Sequence, residues 1–273
     1  MRPLAPLLAC APRGVLFFVL AGDNVMMTDP IKPEYKKLPL SIEAQADLLI
    51  SRGLQGIDKS GLFKNLERVS YYRWRGYTYP YQDNSKPDTP FLPGVVWDYI
   101  DSDYCLDRDL RILIFDALER LEVTLRSQLV LHTSLDHGAQ WYADGTLFFN
   151  ATAWERDRND LFTDWNRSKD DFVEHHKRTY SDSNPPPAWK VFEATSFGSL
   201  SKFFENLRTD LPCRNRIAGF WGFGRHSARV LSSWFHHLNV VRNICAHHGR
   251  LYNRIIKVTP IFPSKPLGAW VRN

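Results

Sequence analysis

The amino-acid sequence predicts an all-α protein, a single helical domain with an N-terminal helical extension. Three observations support this fold class. Apolar residues recur at steps of three and four in the longer segments, which is the spacing of one helix face. No segment shows sustained apolar–polar alternation, and no internal repeat is visible. With 273 residues, of which 44% are hydrophobic, the chain has enough apolar side chains for a sizeable core.

The first two helices are predicted within the N-terminal third of the chain. The first covers residues 40–54, where Ser41 is a typical N-cap and Gly53 is typical of a helix end. A second helix is predicted within residues 61–83, running into an aromatic-rich loop. Residues 84–94 contain three prolines and are predicted to form a loop.

The longest helical pattern covers residues 101–135. One face is predicted to form a buried stripe, made of Leu110, Ile114, Ala117, Leu121 and Leu125. Charged residues cluster on another side of the helix, namely Arg108, Arg111, Glu119, Glu122 and Arg126. Glu122 and Arg126 are spaced to form an ion pair along the helix. A solvated surface is the alternative interpretation of this charged face.

The second half of the chain is also predicted to be helical. Residues 138–180 are polar and helical, and the three consecutive prolines within 181–189 interrupt the pattern. Another helix is predicted at 190–207, and the last long helix begins at about Ser227. The final residues, 258–273, are interrupted by prolines and are predicted to be irregular.

Composition narrows the functional classes only slightly. The net charge of +5 fits a nucleic-acid partner, and it fits an ordinary basic protein equally well. The four cysteines are far apart and include no C-x-x-C pair, which argues against a zinc knuckle, a thioredoxin-like site and a disulfide framework. A reducing, cytoplasmic location is therefore expected.

The N-terminal residues 1–25 contain an apolar run at 15–21 that loosely imitates a secretory signal. The run is too short to cross a bilayer, which requires about 20 apolar residues. We expect the protein to begin at Met26 or Met27, so that the preceding residues are upstream sequence. A cleaved signal peptide is the alternative.

The last helix carries a polar seam in and around "VVRNICAHHGRLYNR" (240–254). On a helical wheel, six side chains fall on one side: His236, Asn239, Asn243, His247, Arg250 and Arg254. Arg242 lies about 100° from Asn243, on the flank of the seam. Its long side chain is expected to reach the seam. The spacing predicts a continuous polar surface opposite an apolar stripe.

These residue types suit the cleavage of an RNA phosphodiester. An imidazole titrates near pH ~6.5, so it can take a proton from a 2′-hydroxyl group or give one to the leaving oxygen. A guanidinium binds two phosphate oxygens at once through bidentate hydrogen bonds. The sequence has no H-x-x-x-H motif with an acidic partner of the kind that holds a catalytic metal. From spacing alone, a purely structural polar face is the alternative.

Several segments of the chain resemble one protein family in the same order along the sequence. The clearest is "RNICAHHGRLYNR", and the others lie at residues 40–54, 69–81, 104–129 and 186–207. They resemble the Abi-like proteins (abortive infection, AbiD/AbiF type) of the HEPN superfamily. The resemblance covers roughly residues 32–266 and implies a HEPN-type helical bundle.

The resemblance implies phage defence or toxin-like action through metal-independent RNA cleavage, with no cofactor. On the family's pattern, Arg242 corresponds to the phosphate-binding arginine and Asn243 to its polar neighbour. His247 corresponds to the catalytic histidine, and His248 is compatible with the looser spacing of the superfamily. A homodimer in which two Arg–His motifs face each other is also implied.

Other residues receive supporting roles. RNA or phosphate binding is expected from Arg250, Arg254 and His236. We hypothesise that the charged face packs beside the seam and orients Arg242; its residues are Glu119, Glu122 and Arg126. Gly249 departs from the better helix former expected there, and an early helix end would remove Arg250 and Arg254 from the seam.

Two other functions remain open from the sequence. One is a non-catalytic HEPN module that binds RNA or a nucleotide as a sensor in a defence system. The other is a structural polar seam in a dimer interface. The expected partners are RNA, a second copy of the chain and a candidate inhibitory small RNA or antitoxin, with no membrane.

The predicted organisation has three parts. Residues 1–31 form an upstream or disordered segment, residues 32–266 form the Abi-like helical domain, and residues 267–273 form a tail. Related proteins commonly continue with further helical sequence, so the tail is expected to be truncated.

Overall fold

The computed structural model describes Glu34 and residues 37–181, 185–223 and 227–262. The helices described below all lie in one of the chain's two units, Ser41–Asn273; the other unit is Met1–Leu40. The predictions for residues 1–31 and 267–273 lie outside the described residues. Within the described part, the chain forms α-helices and short 3-10 helices and no β-strand. The predicted all-α fold class is therefore confirmed.

Three short helices begin the second unit: α1 (Ile42–Ser51), α2 (Lys59–Arg68) and α3 (Tyr71–Thr78). Ser41 caps α1 as predicted, since its side chain accepts a hydrogen bond from the amide of Ala44. The prediction of one helix within 61–83 that runs into an aromatic-rich loop is corrected, because the first helix ends at Val69 and a second helix covers part of the aromatic-rich segment. Ser70 caps α3 by accepting from the amide of Arg73, which starts a new helix. These helices share a core with the beginning of the next helix.

The fourth helix, α4 (Trp97–His137), is longer than predicted and ends at Gly138, whose φ is 85°. Its buried stripe differs from the predicted one. Ala117 is exposed and Leu118 is buried in its place. Arg111, predicted on the charged face, is 6% exposed because it pairs with Asp107 on the buried side.

Six helices follow: α5 (Ala151–Arg167), α6 (Asp171–Thr179), α7 (Ala188–Val191), α8 (Phe197–Asn206), α9 (Pro212–Phe220) and α10 (Ala228–Ala246). The sequence reasoning missed α9, which begins with proline in its first turn. The main core lies among α4, α5 and α7–α10. Because α10 packs against both α8 and α4, the central part of α4 lies beside the polar seam.

Within the described residues, no helix is long and apolar enough to cross a membrane.

Candidate functional site

The last helix ends just before the two histidines of the predicted seam. The amide of His248 donates to the carbonyl of Cys245 at 3.1 Å, and the amide of Gly249 donates to the carbonyl of Ile244 at 2.8 Å. Together these bonds form a Schellman helix end, with left-handed backbone at His248, whose φ is 56°. His247 is the cap residue. The polar seam therefore stops at the helix end.

Arg250 and Arg254 do not continue the seam. This corrects the helical-wheel prediction, which placed both side chains on it. The Nη1 of Arg250 donates to the carbonyl of Gly76 at 2.8 Å, so this side chain ties the segment to α3. The Nη1 of Arg254 is 3.4 Å from the carbonyl of Arg250, and the residue is exposed. Both lie in irregular chain because α10 ends before Gly249. Their RNA-binding role stays a prediction.

A buried carboxylate on α4 holds the segment that follows the histidines. Asp107 is fully buried, and its Oδ1 accepts from the amides of Leu251 at 2.9 Å and Tyr252 at 2.5 Å. Its Oδ2 accepts from the hydroxyl of Tyr77 at 2.5 Å and from the Nη1 of Arg111. Four donors therefore satisfy this carboxylate and fix the chain close to His248.

Burial changes the titration of two groups around this carboxylate. It raises the pKa of the Tyr77 hydroxyl to about 12, and the hydrogen bond to Asp107 adds to the effect. Burial also raises the pKa of the Cys245 thiol on the core side of α10. Both groups therefore remain protonated near neutral pH.

The guanidinium of Arg242 lies against α4. Its Nε is 3.7 Å from the Oε2 of Glu122, and its Cζ is 5.9 Å from the centre of the Phe115 ring. Its Nη1 is within 3.5 Å of the Oδ1 of Asn243. The side chain remains 30% exposed. Glu122 and Phe115 thus hold one edge of a guanidinium that still reaches solvent.

Glu122 also contacts a second arginine, which lies on α4 like Glu122 itself. Its Oε1 accepts from the Nη2 of Arg126 at 3.2 Å. Arg126 also donates to the carbonyls of Phe192 at 2.9 Å and Thr195 at 3.0 Å. The hypothesis that the charged face of α4 packs beside Arg242 requires a contact between the two. Glu122 makes that contact.

Four predicted residues lie in the last part of α10 and at its C-terminal end: Arg242, Asn243, His247 and His248. Asn243 and both histidines are exposed. His236 is exposed but lies eleven residues before His247, about 16 Å away along the helix. Glu119 is exposed on α4, and the described contacts of Arg242 do not include it. The chemical roles of all these residues stay predictions.

A cavity of about 550 Å³ adjoins this cluster, between α4 and the end of α10. Ile112 and Phe115 line it from α4, and Ala246 and His248 line it from the other side. Because Phe115 also contacts Arg242, the cavity and the guanidinium share a wall.

The described residues include one group of side chains with metal-ligand chemistry, at the far end of α4. Asp136, His137 and Cys213 place their ligand atoms within 4.8 Å of one another. Asp136 is already paired with Arg216 at 2.5 Å. This group shares no residue with the cluster at the end of α10.

Sequence reasoning missed Asp107, Tyr77 and Phe115. A signal for Asp107 was present, since it stands four residues before Arg111 in a helix that must bury one face. Its other partners come from segments distant in the sequence, which no local pattern identifies. Phe115 carried no signal, because an aromatic residue in a helix is usually part of a core.

The comparisons agree with the resemblance carried by the sequence motifs. No curated protein and no solved structure matches the chain. The sequence model of one family, described as Abi-like protein, matches residues 64–253. That range includes the cluster at the end of α10, Glu122 and Asp107. The match supports a role in abortive infection, a form of phage defence. The chain belongs to the Abi-like protein family.

Proposed function

We propose that this protein is a metal-independent endoribonuclease that acts in phage defence or as a toxin. The observation that supports this most directly is the end of α10, where a partly exposed guanidinium beside Glu122 is followed, five and six residues later, by two exposed imidazoles. A cation for the phosphate and a group that exchanges protons are the two components that cleavage by a 2′-hydroxyl requires.

The proposed reaction proceeds in one displacement at phosphorus. His247 takes the proton of the 2′-hydroxyl as its oxygen attacks the adjacent phosphorus, and the bond from phosphorus to the 5′ oxygen breaks. The departing 5′ oxygen takes a proton from an imidazolium on the opposite side of the phosphorus, which the second copy of the chain supplies. Arg242 stabilises the charge that develops on the phosphate oxygens, with Asn243 and His248 in support. The products are a 2′,3′-cyclic phosphate and a 5′-hydroxyl.

The contacts around Arg242 serve this reaction by fixing the guanidinium before RNA binds. Arg126 is held by two backbone carbonyls and holds Glu122, which in turn faces the Nε of Arg242. An arginine fixed in this way loses less side-chain entropy when it binds a phosphate. Arg250 and Arg254 then contribute RNA contacts from the segment beyond the helix.

The proposal includes a homodimer in which a second copy completes the pocket. One histidine must otherwise serve both sides of an in-line displacement, whereas a second copy places another Arg–His pair across the phosphate. A mass measurement at micromolar protein tests this part. A dimer is expected, and a chain that cleaves RNA as a monomer contradicts it.

The decisive experiment is incubation of the purified protein with end-labelled RNA in excess EDTA. The expected products carry 2′,3′-cyclic phosphate ends, and a 2′-deoxy substitution at the cleaved nucleotide blocks the reaction. Cleavage that requires a divalent metal, or products with 5′-phosphate ends, contradicts the proposal.

The second candidate is a module that binds RNA or a nucleotide without cutting it. Among the described contacts, no hydrogen bond orients the imidazole of His247 or His248, whereas a general base is usually held by a neighbouring group. The same assay distinguishes the two functions. Stable RNA binding with no product in EDTA or in Mg²⁺ favours the binding module.

A further inference from the structure

We propose that the cavity between α4 and the end of α10 binds a nucleobase, and that guanine fits it best. This inference rests on the proposed phosphate site at Arg242 and assigns that site a preferred base. The side chains that carry the inference are Arg108, Ile112, Phe115, Asp116, Ala246 and His248.

The cavity has the size and walls of a small-ligand site. Its volume of about 550 Å³ lies within the range of pockets that hold small molecules. Ile112, Phe115 and Ala246 give it apolar walls. The first two are exposed, at 55% and 38% of their surface. A planar base would cover these side chains and remove them from water.

The position of the cavity links it to the phosphate site. Phe115 lines the cavity, and its ring centre is 5.9 Å from the Cζ of Arg242. His248 lines the same cavity from the helix end. A phosphate bound by Arg242 therefore has its neighbouring nucleoside beside this opening, where the ring of Phe115 can stack on the base.

Charges at the two ends of the cavity favour guanine over the other bases. Arg108 and Asp116 both line it and are separated by about 12 Å along α4, a span that two flexible side chains can shorten to the width of a base. Guanine offers acceptors at O6 and N7, which arginine binds in pairs. Its opposite edge offers N–H donors to a carboxylate. Adenine has no O6 acceptor, and pyrimidines are shorter.

Neither Arg108 nor Asp116 is held by a partner in the protein core. Asp116 pairs with Arg120 and Arg108 pairs with Asp109, and all four side chains are more than 60% exposed. Exposed pairs of this kind are weak and exchange readily with a ligand. Arg111 also lines the cavity, but its guanidinium already donates to the buried Asp107 and is therefore not available to a base.

The test is equilibrium binding of short 2′-O-methyl oligouridylates that carry one guanine or one adenine. The 2′-O-methyl group prevents cleavage, so the result does not depend on ribonuclease activity. The guanine probe is expected to bind about tenfold more tightly, which is the size of one good base contact. Asp116→Asn should remove that preference. The control, Asp160→Asn on the exposed surface of α5, should retain it.

Three results overturn the inference. The first is equal binding of the two probes by the wild-type protein, and the second is a guanine preference that survives Asp116→Asn. The third is an Ile112→Arg variant that changes from dimer to monomer without weakening either probe, which makes the cavity an interface between copies. If RNA is cleaved but neither binding nor cleavage depends on guanine, the base pocket fails while the ribonuclease proposal stands.

Discussion

Two carboxylate–arginine pairs on α4 have the same local spacing and differ in burial. Asp107 and Arg111 form one pair, and Glu122 and Arg126 form the other. Each pair also contacts α10 or the segment that follows it, and so belongs to a larger network. In the first network the side chains are 7% exposed or less, whereas in the second the outermost arginine, Arg242, is 30% exposed.

The difference lies in how completely the hydrogen-bonding groups are satisfied. Asp107 accepts from four donors and has no capacity left for a ligand. Arg242, in contrast, faces Glu122 only at 3.7 Å and keeps part of its guanidinium in solvent. A fully satisfied buried network specifies structure, whereas an incompletely satisfied cation is available for binding. We therefore expect the first network, which we call closed, to govern stability, and the second, which we call open, to govern activity.

The largest effect should come from Asp107→Ala, which leaves the Arg111 guanidinium buried without its partner. The free energy of unfolding should fall by about 3–5 kcal/mol, measured by urea denaturation. If this variant does not fold, Tyr77→Phe removes one bond to the same carboxylate and should cost about 1 kcal/mol. Asp109→Asn, on the exposed side of α4, is the matched control. Equal losses for the buried and exposed positions would contradict a structural role for the closed network.

The next largest effect is expected at the end of α10, from His247→Ala. The cleavage rate should fall by about 10²–10⁴-fold, because acid–base catalysis by a positioned side chain contributes that much. Stability should hardly change, since the imidazole is exposed. His175→Ala, at an exposed position of α6, serves as the control for loss of a surface imidazole. Full activity of His247→Ala would contradict the proposed acid–base role of His247.

A smaller effect should follow from Glu122→Gln, which keeps the shape of the side chain and removes its charge. Arg242 would be held less firmly, so cleavage should fall by about tenfold, equivalent to ~1.4 kcal/mol. The loss should appear mainly as a higher KM for RNA, whereas a general loss of folded protein would lower kcat alone. Glu155→Gln on α5 controls for the change in charge. An unchanged KM argues against a positioning role.

The smallest effect concerns the helix end between the two networks. His248 holds a left-handed backbone that favours glycine, so His248→Gly should raise the free energy of unfolding by about 0.5 kcal/mol. His248→Asn, which also tolerates this conformation, should be close to neutral. Cleavage assays on both variants then report on the imidazole itself. A destabilised glycine variant would show that the imidazole contributes to the fold.

The sequence predicted the helical architecture well, because local patterns determine it. The Ser41 cap, the long periodic segment of α4 and the start of α10 near Ser227 all depend on residues close together in the chain. The break at Ser70 went unpredicted, because a serine between two helical patterns is compatible with continuation as well as with capping.

The site was predictable only in part, for a physical reason. Arg242, Asn243 and the histidines are adjacent in sequence, so one motif identifies them together. The contact between Arg242 and Glu122 depends on α10 packing against α4, and here the family resemblance supplied what spacing does not contain. Asp107 joins three distant segments, and only the folded chain brings them together.

The most direct test of the contrast between the two networks is the cleavage rate of Arg242→Ala, measured beside its unfolding free energy. We predict a fall in rate of about 10²–10³-fold, typical of losing one group that stabilises transition-state charge. The free energy of unfolding should stay within about 0.5 kcal/mol of the wild type, as for most surface changes. Wild-type cleavage by this variant, or a rate loss matched by unfolding, would contradict the assignment of the open network to chemistry.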